Sequence, residues 1–248
     1  MSSNFYDTDR AVAEYLLFHF APTEEQMPWD FGPRDATDFA VRTVESTLDP
    51  QILARCRRAL DLGCAVGRSA FELSRWAEEV IGIDASERFI DAARHLQTSG
   101  ELAYKAALEG ELTASLVARR PPGARPDRIR FEVGDALRLR PDLGTFDLVH
   151  AANLLDRVPE PARLLAGFAG LVHPGGHLVL TSPYTWLEEH TPRSEWLARE
   201  GQRATDVLAD HLAGEFRRVR RLDLPFVIRE HARKFQWSVA EATVWLRA

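Results

Sequence analysis

The sequence predicts an α/β fold: a seven-stranded, mostly parallel sheet with helices on both faces and one antiparallel strand. Three observations predict it. From Arg57 onward, short apolar runs alternate with helical periods, the texture of right-handed βαβ units whose sheet is covered on both faces. Three acids, Asp61, Asp84 and Asp135, fall at three consecutive strand ends and so meet at the sheet's carboxyl edge. A strand-like return near the carboxyl terminus adds the antiparallel element, expected at the sheet's edge.

The elements follow in order. Thr8 or Asp9 can cap a helix running to Phe20, with Val12, Tyr15, Leu16 and His19 or Phe20 on one face. Pro22, Pro28, Gly32 and Pro33 mark an irregular connection, and a second helix is expected over residues 36–53. A buried strand at 59–62 ends in Gly63, a helix covers 68–76, and a strand at 80–84 ends in Asp84. Ser86 caps a helix in which Phe89, Ile90, Ala93 and Leu96 share a face. The insertion 100–127 contains a helix-like piece at 108–118. Strands are expected at 129–133, 146–151 and 177–181, with a helix at 162–171 between the last two. Beyond Pro183 come a helix at 204–212, a strand at 216–224, a loop at 225–237 too charged for a core strand, and a last strand at 239–246. The arginine run at 217–221 reads as the exposed face of a strand.

At about 150 residues per domain, 248 residues make roughly 1.7 domains. The expected division is a single domain over 1–248: an amino-terminal helical cover at 1–56, a core at 57–182, and a substrate-binding element with the final strands at 183–248. A net charge of -6 argues against a protein that coats nucleic acid or anionic lipid. Only Lys105 and Lys234 among 31 basic residues are lysine, so arginine clusters are discounted as compositional. Cys56 and Cys64 lack zinc spacing, and His173 and His177 straddle Pro-Gly-Gly rather than sharing a helical face, so no metal is expected. The first ten residues lack the basic and apolar regions of a secretory leader, and no membrane span is apparent, so a cytoplasmic protein is expected.

Asp61-Leu62-Gly63-Cys64-Ala65-Val66-Gly67 sits where a strand hands over to a helix. Glycines there let the backbone turn sharply and approach a ligand. Asp84, 21 residues beyond Gly63, is placed to accept from ribose hydroxyls, and Gly134-Asp135-Ala136 places a carboxylate near an adenine amino group. A dinucleotide fingerprint in this register wants glycine at 65 and 68, where the chain has Ala65 and Arg68, and no P-loop occurs.

The Asp-x-Gly-x-Ala-x-Gly form, with Asp84 and Asp135, resembles class I S-adenosylmethionine-dependent methyltransferases, which have a Rossmann-like fold. The resemblance implies a cofactor site of Asp61, Gly63, Ala65, Gly67, Asp84, Ala85, Gly134, Asp135, Ala136, Asn153 and Leu154, with S-adenosyl-L-homocysteine as product. Five further blocks are more specific: Phe5-Tyr6-Asp7-Thr8-Asp9-Arg10; Glu14-Tyr15-Leu16-Leu17-Phe18-His19-Phe20; Ala151-Ala152-Asn153-Leu154-Leu155-Asp156-Arg157; Thr181-Ser182-Pro183-Tyr184-Thr185-Trp186-Leu187-Glu188-Glu189; and Ile228-Arg229-Glu230-His231-Ala232-Arg233-Lys234-Phe235-Gln236-Trp237. Together they resemble the ovothiol-biosynthesis methyltransferases, which methylate an imidazole nitrogen of 5-thiohistidine. The family tends to continue Trp-Leu-Gly-Gly where this chain has Trp196-Leu197-Ala198-Arg199.

The resemblance implies a small-molecule acceptor, 5-thiohistidine, and a separate sulfoxide synthase to supply it. Asn153 would lie near the sulfonium, and His231, Glu230, Asp156 or Tyr184 would accept the acceptor's proton, which makes His231, Tyr184 and Asn153 the expected catalytic residues. Arg229, Arg233 or Lys234 would hold the acceptor's carboxylate or thiolate. Tyr6, Tyr15, Tyr184, Trp186 and Trp237 would wall its pocket. Alternatives are a methyltransferase for another small acceptor and a non-catalytic cofactor-binding partner of a sulfoxide synthase.

Overall fold

A computed structural model describes residues 5–248; the first four residues of the expected cover lie outside them. Strands run β1 Arg58–Leu62, β2 Glu79–Asp84, β3 Glu101–Glu109, β4 Leu112–Arg119, β5 Ile129–Val133, β6 Phe146–Ala152, β7 Val172–Ser182, β8 Phe216–His231 and β9 Lys234–Arg247. Helices run α1 Asp9–Phe20, α2 Thr23–Gln26, α3 Phe39–Glu45, α4 Pro50–Leu53, α5 Arg68–Leu73, α6 Glu87–Ser99, α7 Pro161–Leu171 and α8 Ala204–Leu212. The main sheet is seven-stranded in the order β5-β2-β1-β6-β7-β9-β8. β5, β2, β1, β6 and β7 are parallel, and β9 is antiparallel to both of its neighbours. The one antiparallel strand is therefore next to last, and β8 forms the edge in its place.

Strand order reverses between β1 and β6, the crevice where open α/β sheets take ligands. Both sheet faces are buried, as the apolar runs require. α1 and α3–α6 pack on one face around Phe71, Phe89 and Ile90, and α7 and α8 on the other around Phe168 and Trp245. The expected caps form: Thr8 Oγ1 accepts from Ala11 N–H at 3.1 Å and Ser86 Oγ from Phe89 N–H at 3.2 Å.

Three expectations give way. The helix expected over 36–53 is interrupted, because the residue before a proline avoids the helical region; Asp49 caps a new turn with Pro50 at its start. The helix-like piece at 108–118 is instead part of the antiparallel hairpin β3–β4, with Gly110 at φ 55° in its turn. An alanine- and leucine-rich composition suggested helix there, but Tyr104, Ala106 and Ala118 face the core as strands. The loop expected at 225–237 is the outer half of a long β8–β9 hairpin. The cover packs against it. Leu224 and Phe226 pack on Phe18 and Phe39, Val227 packs with Met27, Arg229 Nη1 donates to Glu25 O at 2.7 Å, and Trp29 Nε1 donates to Ala232 O at 3.1 Å.

Candidate active site

A cavity of about 300 Å³ opens at the carboxyl edge of the sheet beside β1, β2 and β6. Its floor is the turn after β1. Gly63 adopts φ 75°, and a Cβ there would stand 3.0 Å from Leu154 Cδ1. Ala65 is held at φ 47°, with its N–H donating to Asp84 Oδ2 at 2.9 Å. Asp84 Oδ1 accepts from Ser86 N–H at 2.9 Å. Burial raises the Asp84 carboxyl above the usual carboxylate range, and these two amides oppose the rise.

Asp61 is buried. Its Oδ1 accepts from His150 Nδ1 at 2.8 Å, and His150 Nε2 lies 3.0 Å from Thr43 Oγ1. Asp61 Oδ2 is enclosed and has no hydrogen-bond partner among the described residues. Asp135 follows β5, with Oδ1 accepting from Leu137 N–H at 2.8 Å. Asn153, at φ 52°, is pinned twice to β7: its N–H donates to Thr181 O at 2.8 Å and Thr181 Oγ1 donates to its Oδ1 at 2.9 Å.

The opposite wall comes from the cover. Tyr6 and Tyr15 meet edge to face at 6.0 Å, Tyr15 lies 4.7 Å from Phe89, and His190 stands 5.6 Å from Tyr6. Burial raises the Tyr15 phenol pKa well above its ordinary value. His19, with an enclosed Nδ1 that lacks a partner among the described residues, is lowered to about 3 by burial and then by Arg68. His190 is lowered by burial and then by Arg157, and Glu189 Oε1 lies 3.3 Å from its Nε2. Phe18, Phe39, Phe226 and Ile228 close the apolar end.

Of the expected cofactor residues, Asp61, Gly63, Ala65, Asp84, Ala85, Gly134, Asp135, Ala136, Asn153 and Leu154 all line this cavity. Gly67 does not; at φ 87° it turns the chain under Phe131. Tyr6 and Tyr15 line the cavity as expected. The other expected acceptor residues lie off it. Tyr184 donates to Glu241 Oε2 at 2.6 Å, and Trp186 packs on the core beneath β7. Arg229 is committed to α2, while Lys234 pairs with Glu230 at 2.7 Å. His231 ends β8, where its Nδ1 accepts from Arg233 N–H at 3.2 Å, because the hairpin carries it past the sheet to β3 rather than over the crevice. Sequence reasoning gave no site role to His19, His190 or Arg157, which do line the cavity. His19 and Arg157 stood inside the specific blocks; His190 carried no signal.

Residues 60–180 match the model of a family described as a methyltransferase domain. The core of this chain is thus similar to methyltransferase domains. Curated relatives include a ubiquinone biosynthesis O-methyltransferase from Coxiella burnetii, 26% identical over 135 residues, which are 54% of this chain and 47% of that protein. One of the same description from Alkalilimnicola ehrlichii is 31% identical over 128 residues, 51% of this chain and 41% of its own. The chain thus spans about half the length of the curated relatives it matches. Among solved structures, the N-methyltransferase NodS of Bradyrhizobium japonicum, in complex with S-adenosyl-L-homocysteine, superposes with TM-score 0.52 at 18% identity, over 95% of this chain and 97% of that one. A methyltransferase of Methanosarcina mazei gives TM-score 0.54 at 18% identity over 80% and 97%. These two share the fold. No helix among the described residues is long and apolar enough to cross a membrane.

Proposed function

We propose that the chain is an S-adenosylmethionine-dependent methyltransferase that methylates an imidazole nitrogen of 5-thiohistidine to give ovothiol A. All 248 residues then act as one unit, with core, cover and hairpin sharing one site. One observation carries this reading. Each of the five sequence blocks that resemble the ovothiol-biosynthesis enzymes contributes to the same cavity wall: Tyr6, then Tyr15 and His19, then Asn153 and Arg157, then Pro183, then Ile228.

The cofactor fits the residues present. The enclosed, unpartnered Asp61 Oδ2 suits an ammonium donor, Asp84 suits vicinal hydroxyls, and Asp135 suits an exocyclic amine. Gly63, at φ 75° and crowded by Leu154, lines the cavity with backbone where any side chain would be strained. When bound, S-adenosylmethionine supplies a methyl group on a positively charged sulfur for in-line displacement.

The chain's own residues bind, orient and hold protons. Tyr6 and Tyr15 supply ring surface for a small planar acceptor and for the nearby cation. Neutral His19 offers its free Nδ1 to the acceptor ring. Asp156 is occupied by Ser182, Thr185 and Arg157, Tyr184 by Glu241 and Glu230 by Lys234, and His231 is remote, so the proton falls to neutral His190, beside Glu189. A separate sulfoxide synthase would supply the acceptor.

A second reading, O-methylation of a phenolic acceptor, is favoured by the description that the curated relatives carry. Incubation with S-adenosylmethionine and either 5-thiohistidine or a catechol decides between them, read by mass spectrometry. Ovothiol A and S-adenosylhomocysteine are expected; methylated catechol with unchanged 5-thiohistidine would refute the first reading.

A further inference from the structure

Among the described residues, the cavity wall holds one guanidinium, that of Arg157. It is fixed at two of its three nitrogens. Nε donates to Tyr6 Oη at 3.1 Å, and Nη1 donates to the Asp156 carboxylate at 2.8 Å and to the carbonyls of Asp156 and Thr185 at 2.9 Å. Nη2 makes no hydrogen bond to a described residue. The Arg157 side chain keeps 24% exposure, whereas Asp156 beneath it is fully buried.

Such a group is a preorganised donor. Its orientation is set before any ligand arrives, so little side-chain freedom is left to lose. The neighbours of Arg157 are Tyr6 of the cover and His190 of the segment after β7. The arginines and lysine first expected to hold an anionic acceptor are spent elsewhere or lie off the cavity. Arg229 is bound to α2, Arg233 stacks over Trp29, and Lys234 pairs with Glu230.

We propose that Arg157 is the subsite for the carboxylate of an amino-acid acceptor, and that the Arg157–carboxylate pair sets which ring nitrogen is presented for methylation. This rests on the methyltransferase reading above. The remaining Nη2 offers a charge-assisted N–H bond, for which a carboxylate oxygen is a better acceptor than a thiolate sulfur. The cofactor has a carboxylate of its own, so the test separates the two sources.

The full-length protein and its Arg157→Gln and Arg157→Lys variants are compared in three titrations. The first measures S-adenosylhomocysteine affinity. The second measures L-histidine against histamine, its decarboxylated counterpart, on the S-adenosylhomocysteine-loaded protein. The third measures kcat and KM for 5-thiohistidine and for its decarboxylated analogue. The wild type should prefer L-histidine by about tenfold or more, the size expected for a charge-assisted hydrogen bond. Arg157→Gln should abolish that preference, leave S-adenosylhomocysteine affinity within about twofold, and raise KM for 5-thiohistidine at least about tenfold with a smaller change in kcat. Arg157→Lys, which keeps the charge beside Asp156, should retain part of the preference and decides the matter if Arg157→Gln fails to fold.

The proposal is overturned if the wild type binds neither probe or shows no preference. It is also overturned if Arg157→Gln keeps the preference, or if its main loss is in S-adenosylhomocysteine affinity, which assigns Arg157 to the cofactor carboxylate. An equal loss for the decarboxylated thiol analogue assigns it to the thiolate instead. An Arg157-dependent carboxylate preference without turnover of 5-thiohistidine leaves this subsite standing and removes the proposed reaction. Turnover that Arg157→Gln does not change does the reverse.

Discussion

His19 gives a prediction that needs no substrate. In the unfolded chain it protonates near 6.5; in the fold, burial and then Arg68 hold it near 3. Between those values only the unfolded chain takes up the proton, so stability falls as pH falls through 6.5 towards 3. Going from pH 8 to pH 5.5, a group with an unfolded pKa of 6.5 costs the fold about 1.4 kcal/mol, whatever its exact folded value below 5. Urea unfolding at the two pH values, for the wild type and His19→Asn, measures this. Other titrating groups act in both proteins and cancel. The wild type should lose about 1.4 kcal/mol more than His19→Asn. Equal losses would mean that His19 titrates freely and that the cavity wall is open to water around it.

Two further outcomes follow from the floor of the site. Asp84→Asn places an amide N–H donor against the Ala65 or Ser86 N–H and removes the charge offered to vicinal hydroxyls, so S-adenosylhomocysteine should bind about tenfold to hundredfold more weakly by calorimetry; a change under threefold would count against that role. Gly67→Ala puts a methyl group at φ 87° and 2.6 Å from Phe131 Cζ, so the urea midpoint should register about 2–5 kcal/mol of destabilisation; less than about 0.5 kcal/mol would mean that Phe131 simply swings aside.

The parallel core was legible because each strand is a short apolar run closed by a glycine or an acid, and burial on both faces leaves such runs little alternative. The cavity floor was legible for the same reason: Gly63, Asp84 and Asp135 sit where strands end at the sheet's carboxyl edge. The two hairpins were not. In β3–β4 the alternation is carried by small residues such as Ala106 and Ala118, which signal helix as readily as strand. In β8–β9 the charges of Arg229, Glu230 and Lys234 suggest solvent, yet Glu230 and Lys234 pair with each other and the partner of Arg229, Glu25, stands 204 residues away in sequence. The acceptor residues expected on that hairpin lie off the cavity for the same reason. Once residues 225–237 became strand rather than a folded-over loop, His231 and Lys234 were carried off the crevice, and the wall passed to His19, His190 and Arg157.

The exposed edge of β8 has a consequence for molecules in crowded solution. A sheet that ends in an open strand invites another to add to it. Here Arg217, Arg218, Arg220 and Arg221 stand exposed along that margin, with Pro225 further along the same strand contributing no amide donor. Two copies meeting margin to margin would bring eight guanidinium groups into one seam, with Glu241 already engaged by Arg221 within each copy. Like charge of this kind opposes such a seam, so the arginine run that reads as compositional also works against strand addition at this margin.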